Sequence, residues 1–372
     1  VNITRIAYTS FRIPFIAPYE TARGTSTRRF GVIVRLETDA GVEGLGEASL
    51  DPSAPEGEMP GVIAAVEALA RDLLRDGPDV LEDVPTGDDA ARAAHFALET
   101  ALTDAGAKAQ GVPVAQLLAA HFSDGPQQTA VRVNATIASR HIEEAAVAAL
   151  RAKAAGFGTV KLKVGMESSL EAEVERVRTL REVIGPDIRL RLDANGAWDE
   201  STAIATILAL EPYDIELIEQ PAPATDLDAL GRVRAAVTTS IAADEAVVDY
   251  ASAEIALRRA DFVVLKPMRL GALSVAAYVA QHALAAERGV IVTTTIDSGV
   301  ATAAALHLAA SLPDEGRAHG LATASLLESD LLAAPLAVKR GVMSLPEAPG
   351  LGVTLDDAAL ERYTDGWHEV VL

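Results

Sequence analysis

The stretch TVKLKVG at residues 159–165, followed one helical segment later by LRLDANG at 190–196 and then by ELIEQP at 216–221, decides how the chain is read. In the first, the period of two along a strand sends Val160, Leu162 and Val164 to one face and Lys161 and Lys163 to the other. The apolar face must meet helices, because parallel strands are covered on both sides, so the lysines point into the mouth that the sheet encloses. A solvated lysine pair on an edge strand is the alternative, and the flanking Val and Leu residues argue against it. The placement recurs down the chain. Asp193 ends LRLD, Glu219 ends ELIE, Asp244 follows the apolar start of IAADEA (241–246), and Lys266 follows that of FVVLKP (262–267). A charge at such a strand end is costly to desolvate unless a metal, an opposite charge or a substrate compensates it. Three carboxylates and three ammonium groups in this order suggest one site at one rim of a parallel barrel.

Outward from these strands the same rhythm holds. Apolar runs at 131–137, 159–164, 188–192, 215–218, 240–243, 262–265 and 290–294 alternate with amphipathic segments such as HIEEAAVAALRAKAAG and SLEAEVERVRTLREVIG. Strand–helix alternation implies parallel strands with right-handed crossovers, and seven or eight of them imply a closed barrel. The eighth, near 318–323, is weakly written. Upstream, ITRIAYTSFRI, RRFGVIVRLET and GVEGLGEA read as an antiparallel meander, with helical patterns following at VIAAVEALARDLL, DDAARAAHFALETALTDAGAKAQ and PVAQLLAAHF. The expected organisation is an α+β cap over 1–125, a barrel over 126–325, and a C-terminal segment, 326–372, that packs back on the cap.

Composition bounds the function without choosing it. The chain has 372 residues, with 32 Lys plus Arg against 53 Asp plus Glu and a formal net charge of -21. Nucleic acid and anionic membranes are therefore excluded as expected partners. No apolar run is long enough to span a bilayer, and the first residues, VNITRIAYTSFRIPF, lack the sections of a signal peptide. With no cysteine there is no thiol nucleophile and no disulfide framework, which fits a cytoplasmic protein. A small-molecule carboxylate is the expected partner, and a homo-oligomer is compatible with this reading.

The charged residues suggest a chemistry. Asp193, Glu219 and Asp244 are spaced by 26 (219 minus 193) and 25 (244 minus 219) residues, about one β/α unit each. Side by side, three carboxylates would repel one another and take up protons unless a cation intervenes. Oxygen-only ligation favours Mg²⁺, with Mn²⁺ as a substitute. Each alone could equally be a helix N-cap. Lys161 and Lys163, held close, are expected to lower each other's proton affinity, one way to obtain a lysine base near neutral pH. Lys266, on the sixth strand, faces the second-strand pair across the rim. A metal flanked by lysines suits proton abstraction next to a carboxylate. Weaker candidates for substrate contact or support are Asn134 at the end of the first strand, Asn195, Glu245, and Thr294, Thr295 and Asp297 at the end of the seventh; loop turns or caps account for them about equally well. The histidines, including His95, His121, His282 and His307, lack ligand spacing and read as surface or satisfied core residues.

Together these residues resemble the enolase superfamily, specifically the muconate lactonizing enzyme subgroup of the mandelate racemase/muconate lactonizing enzyme family. The resemblance spans essentially the whole chain and implies an α/β fold, a modified TIM barrel of (β/α)7β type, with an α+β cap made by the N-terminal part and the tail. It implies catalytic Lys161, Lys163 and Lys266, with Asp193, Glu219 and Asp244 holding Mg²⁺, in reactions through an enediolate. A mandelate racemase-type site would need a histidine at the seventh strand end, and VIVTTTIDS has none. The segment 19–30, with Arg23 as a candidate substrate contact, resembles the first specificity loop of the cap, and GEASLDP the second. That first loop, with TTTIDSGVATAAALHLAA and HGLATASLLESDL, is most similar to o-succinylbenzoate synthases, which dehydrate a cyclohexadiene carboxylate in menaquinone synthesis. Dipeptide epimerases usually carry an Asp-x-Asp pair at the eighth strand, which HGLATAS lacks, and muconate cycloisomerases a Gly-Gly after the sixth-strand lysine, from which Arg269-Leu270-Gly271-Ala272 departs. N-acylamino acid racemisation uses the same two lysines. Outside the family, the competing expectations are a Schiff-base lysine aldolase and a catalytically silent barrel.

Overall fold

The computed structural model describes residues 2–21, 24–122, 128–167 and 169–372. Its N-terminal part is a meander of β1 (Ile3–Thr21), β2 (Gly24–Thr38) and β3 (Glu43–Ala48), covered by α1 (Met59–Asp76), α2 (Asp89–Gln110) and α3 (Val114–Ala119). Ile6, Phe11, Ile13, Val32, Val34 and Leu36 of these strands are fully buried. Helix α2 lies so close to β3 that a Cβ on Gly44 or Gly46 would fall 1.9 or 1.8 Å from the carbonyl oxygens of Ala101 and Ala97, so only glycine fits there. Within 19–30 the expected loop is corrected, as far as the described residues go. Tyr19 pairs with Ser26 and Glu20 with Thr25, after a register break between Pro14 and Tyr19. Ordinary strand pairing carries the hairpin past the two prolines, Pro14 and Pro18, that interrupt it.

Next along the chain come β4 (Ala130–Arg132) and then the barrel elements β5 (Ala135–Ile137), α4 (Ile142–Ala154), β6 (Thr159–Lys163), α5 (Leu170–Ile184), β7 (Arg189–Asp193), α6 (Glu200–Leu210), β8 (Ile215–Glu219), α7 (Leu227–Ala236), β9 (Ile241–Ala243), α8 (Tyr250–Arg259), β10 (Phe262–Leu265), α9 (Pro267–Leu270), α10 (Leu273–Ala285), β11 (Gly289–Val292) and α11 (Gly299–Ser311). Seven strands form one parallel sheet in the order β11-β10-β9-β8-β7-β6-β5. His319 and Gly320 bridge in parallel to Val133 and Thr293, and so join its first edge to its last. This is the weakly written eighth strand, and it closes the ring: the fold is the modified TIM barrel with a separate cap. Leu217, Ala242, Phe262, Val264 and Ile291 form a small apolar cluster apart from the main core.

The expected first strand is divided. Ala130–Arg132 pairs with the tail's β13 (Val342–Ser344), itself paired to β12 (Val338–Lys339), whereas Ala135–Ile137 joins the barrel beside β6. Beyond α12 (Asp357–Tyr363), β14 (His368–Glu369) adds to the cap sheet along β1. The change of partner falls at Val133, whose N–H donates to Gly341 O, and Asn134, whose N–H donates to His319 O. Asn134 accordingly lies at the start of the barrel strand and not at its end.

Candidate active site at the barrel rim

Register sets the site. Lys163 lies beside Asp193, and Asp193 beside Glu219. Asp244 follows β9, and Lys266 follows β10. In strand order the three carboxylates thus stand between Lys163 on one side and Lys266 on the other. Asp193, Glu219 and Asp244 are all buried, and one oxygen from each lies within 4.8 Å of the others. Oxygens around Mg²⁺ at about 2.1 Å stand up to about 4.2 Å apart, so small rotations bring the three into an octahedral shell. Asp244 Oδ1 makes no well-directed hydrogen bond although Lys266 Nζ is 2.6 Å away, as expected of a buried oxygen shaped for a different ligand. The donor set therefore fits a hard divalent cation.

The lysines balance the carboxylates. Lys161 Nζ donates to Asp193 Oδ2 at 3.0 Å and Glu219 Oε2 at 2.7 Å, and Lys266 Nζ to Asp244 Oδ2 at 2.8 Å. Burial alone would weaken proton binding by Lys161, but the charges of Asp193 and Glu219 outweigh it and hold its pKa well above the usual lysine range. For Lys161 the two carboxylates act opposite to the mutual depression expected of the paired ammonium groups. Lys266 is likewise raised, burial being outweighed by Asp244 and Glu245. Burial would raise Asp193, but Lys161 and Lys163 hold it low; burial and the neighbouring Asp193 and Asp244 leave Glu219 raised. Lys163 differs in its surroundings. Its Nζ lies 3.5 Å from the hydroxyl of Tyr19 and 5.6 Å from that ring's centre, so a cap residue covers it.

Support comes from the turns. Asn195, at φ 45°, donates its backbone N–H to Asp193 Oδ1 and its side-chain Nδ2 to Glu245 Oε1 at 2.8 Å, a bridge from the end of β7 to the end of β9. Burial and the charge of Asp244 push the Glu245 carboxyl up to about 7. Other residues depart from expectation. Asn134 is two residues below Thr136, the residue beside Lys161, and its Nδ2 donates to Thr136 Oγ1 at 3.3 Å, so it lies beneath the rim. Asp297 is engaged by other protein groups: its oxygens accept from Arg29 Nη2 at 3.2 Å, from Thr295 N–H at 3.0 Å and from the Thr295 hydroxyl. Its counter-charge is the buried guanidinium of Arg29, which donates to Ile296 O as well. Thr294 meets Thr323 hydroxyl to hydroxyl at 2.8 Å. Arg23 lies outside the described residues. His95 and His307 are buried against backbone carbonyls, as core residues.

Several working residues escape a reading by strand ends. Tyr19 sits inside a segment read as a loop. Gln220 accepts from Asp244 N–H and Ala246 N–H through Oε1 and so braces the turn after Asp244. Buried Arg191 binds Glu216 at 2.6 Å beneath the site. It shares the inward parity of Asp193, and that signal was present in LRLD.

The N-terminal part, residues 5–119, matches the mandelate racemase/muconate lactonizing enzyme N-terminal domain, and residues 143–359 match the enolase C-terminal domain-like family. The chain belongs to the enolase superfamily, in its muconate lactonizing enzyme subgroup, a group of lyases and isomerases. It is 30% identical to the L-Ala-D/L-Glu epimerase of Bacillus subtilis, over 95% of this chain and 97% of that protein. It is 38% identical to the o-succinylbenzoate synthase of Thermobifida fusca, over 59% of this chain and 67% of that protein. The structure of a dipeptide epimerase of Enterococcus faecalis complexed with Mg and the dipeptide L-Leu-L-Tyr superposes with a TM-score of 0.85 at 28% identity, covering 95% of this chain and all of that one.

Proposed function

We propose that this enzyme is an o-succinylbenzoate synthase, dehydrating a cyclohexadiene carboxylate in menaquinone synthesis by removing the proton next to its carboxylate. One observation carries the reading. Lys163 and Lys266 bracket the carboxylate triad, while 320–325 at the eighth strand, where a dipeptide epimerase would hold its substrate's amine, carries no carboxylate. The partial likeness to an o-succinylbenzoate synthase supports the same choice.

Asp193, Glu219 and Asp244 would hold Mg²⁺, which supplies Lewis acidity toward the substrate carboxylate. Lys163 Nζ takes the α-proton to give an enediolate, and Lys161 and Lys266 place positive charge beside the oxygens on which the negative charge collects. The C–O bond to the β-hydroxyl then breaks, and the proton held by Lys163 leaves with the hydroxyl as water. Asn195 holds Asp193 in place and ties its turn to Glu245, and the Tyr19 ring shields Lys163 from bulk water. N-acylamino acid racemisation is the second reading, favoured by the presence of a lysine on each side of the triad. The purified protein with Mg²⁺, given the cyclohexadiene precursor, N-succinylamino acids, dipeptides and muconate in deuterated water, tests the choice. Dehydration of the precursor is expected, and efficient racemisation without dehydration would remove the synthase reading.

A further inference from the structure

Helix α5 carries an ion pair with no place at the carboxylate rim. Glu173 and Arg176, one turn apart, are 3% and 2% exposed, with Arg176 Nη1 3.6 Å from Glu173 Oε1. A buried pair of this kind contributes little stability by itself, and apolar residues of the same volume would serve the packing as well. Its hydrogen bonds go elsewhere. Arg176 Nη1 donates to the backbone carbonyl of Lys163 at 2.7 Å, and Nη2 donates to the carbonyl of Ser139, which follows the first barrel strand. Glu173 Oε2 accepts from the backbone N–H of Gly165 at 2.8 Å. The two side chains thus hold the backbone on either side of Val164. From the other direction the turn after Asp193 closes in. Gly165 has φ 78°, and a Cβ on it would lie 2.6 Å from Ala197 Cβ.

We infer that Arg176 and Glu173 are positioning residues for Lys163, fixing the strand end from which its amine reaches the site. The strand ladder does this on one side only, where Lys163 pairs with Asp193 and Val164 N–H donates to Asp193 O at 2.8 Å. Lys163 is the last residue of β6, and β5 already stops pairing with that strand at Leu162. Past that point the free carbonyl of Lys163 and N–H of Gly165 need partners, and α5 supplies both. A lysine has a long flexible stem, so its amine is placed by where its backbone starts as much as by its rotamers. A shift of about 1 Å in such a group can cost about 10²-fold in rate.

The inference rests on Lys163 being the proton-abstracting base, and its test separates the two. Arg176→Met, Arg176→Lys and Glu173→Ala are compared with Arg178→Met, a half-exposed arginine of the same helix whose partners among the described residues are Glu175 and Glu182. Two readouts are taken: kcat and KM for α-proton exchange, and hydrogen–deuterium exchange by mass spectrometry over 160–167 without substrate. Arg176→Met should lower kcat about 10²-fold with KM changed much less, and should speed amide exchange over 160–167; Arg176→Lys, which still donates to one carbonyl, should recover about tenfold of kcat. Unchanged kcat and unchanged amide exchange in Arg176→Met would overturn the inference, as would equal losses in Arg178→Met. If Lys163→Ala itself kept α-proton exchange while the amides of 160–167 still loosened in Arg176→Met, the fault would lie with the base, and the catalytic purpose of the clamp would fall with it.

Discussion

At the scale of single residues, Lys163 and Glu219 are separable. Lys163→Ala removes the amine without touching the carboxylates, so it should lose α-proton exchange by about 10²-fold or more while calorimetry still shows Mg²⁺ binding. Glu219→Gln should do the reverse at its root, losing a charged ligand and with it metal affinity, and full Mg²⁺ affinity in that variant would mean the cation is held elsewhere. EDTA should abolish activity, and Mg²⁺ or Mn²⁺ restore it. Lys266→Arg divides the two proposed reactions. A permanent cation can still stabilise an enediolate but cannot exchange a proton, so a synthase should keep measurable activity, whereas a racemase should stop. All of these residues were legible at the ends of apolar runs, because a charge there has few purposes. Asp297 has the same local appearance, yet its carboxylate turns to Arg29, which is 268 residues away along the chain.

Between elements, the cap is held to the barrel by buried polar contacts. Glu47 of β3 accepts from Ser298 N–H at 2.9 Å, the Ser298 hydroxyl at 2.6 Å and Ala301 N–H at 3.0 Å, and so caps α11 from the other domain. Arg29 of β2 adds a hydrogen bond to Ile296 O at 2.8 Å and its pair with Asp297. Breaking such a pair leaves an unmatched buried charge, so Arg29→Met should destabilise the protein by about 3–5 kcal/mol in urea titration. A loss below about 1 kcal/mol would show that the pair contributes nothing beyond packing. The β1–β2 hairpin that carries Arg29 also carries Tyr19, which reaches Lys163. None of it follows from periodicity, which shows which face of β2 is buried and not against what.

For the whole molecule, two core histidines contribute to the loss of stability in acid. Burial lowers His307 to about 4 and His319 to about 3; His307 accepts from Ala115 N–H and reaches Leu351 O, and His319 accepts from Val292 N–H. Both are neutral in the fold, whereas the unfolded chain protonates them near the ordinary value of about 6.5. The unfolded state therefore binds more protons between these limits. Stability from this source is fully present above about pH 6.5 and falls as the pH drops toward 4 and then 3, by up to about 2.7 kcal/mol per unit while both contribute. Glu245, raised to about 7, opposes them over part of this range, so the test is a difference: between pH 6 and pH 5 the dependence of urea-derived stability on pH should be shallower in His307→Gln than in the wild type by about 1.4 kcal/mol per unit, and equal slopes would mean that His307 does not stay neutral in the fold. By itself the sequence determined the barrel, the carboxylate triad and the three lysines, because strand period and the cost of burying charge are local rules that act on neighbouring residues. Only the tertiary structure decided that Lys161 is gripped by two carboxylates, that the first strand divides between barrel and tail, that Arg176 and Glu173 bond the backbone of Lys163 and Gly165, and that Arg29 and Glu47 join the cap to the turn before α11 and to that helix's start. Those outcomes depend on which distant backbone groups and charges are left without partners when the elements pack, and local periodicity carries no record of that.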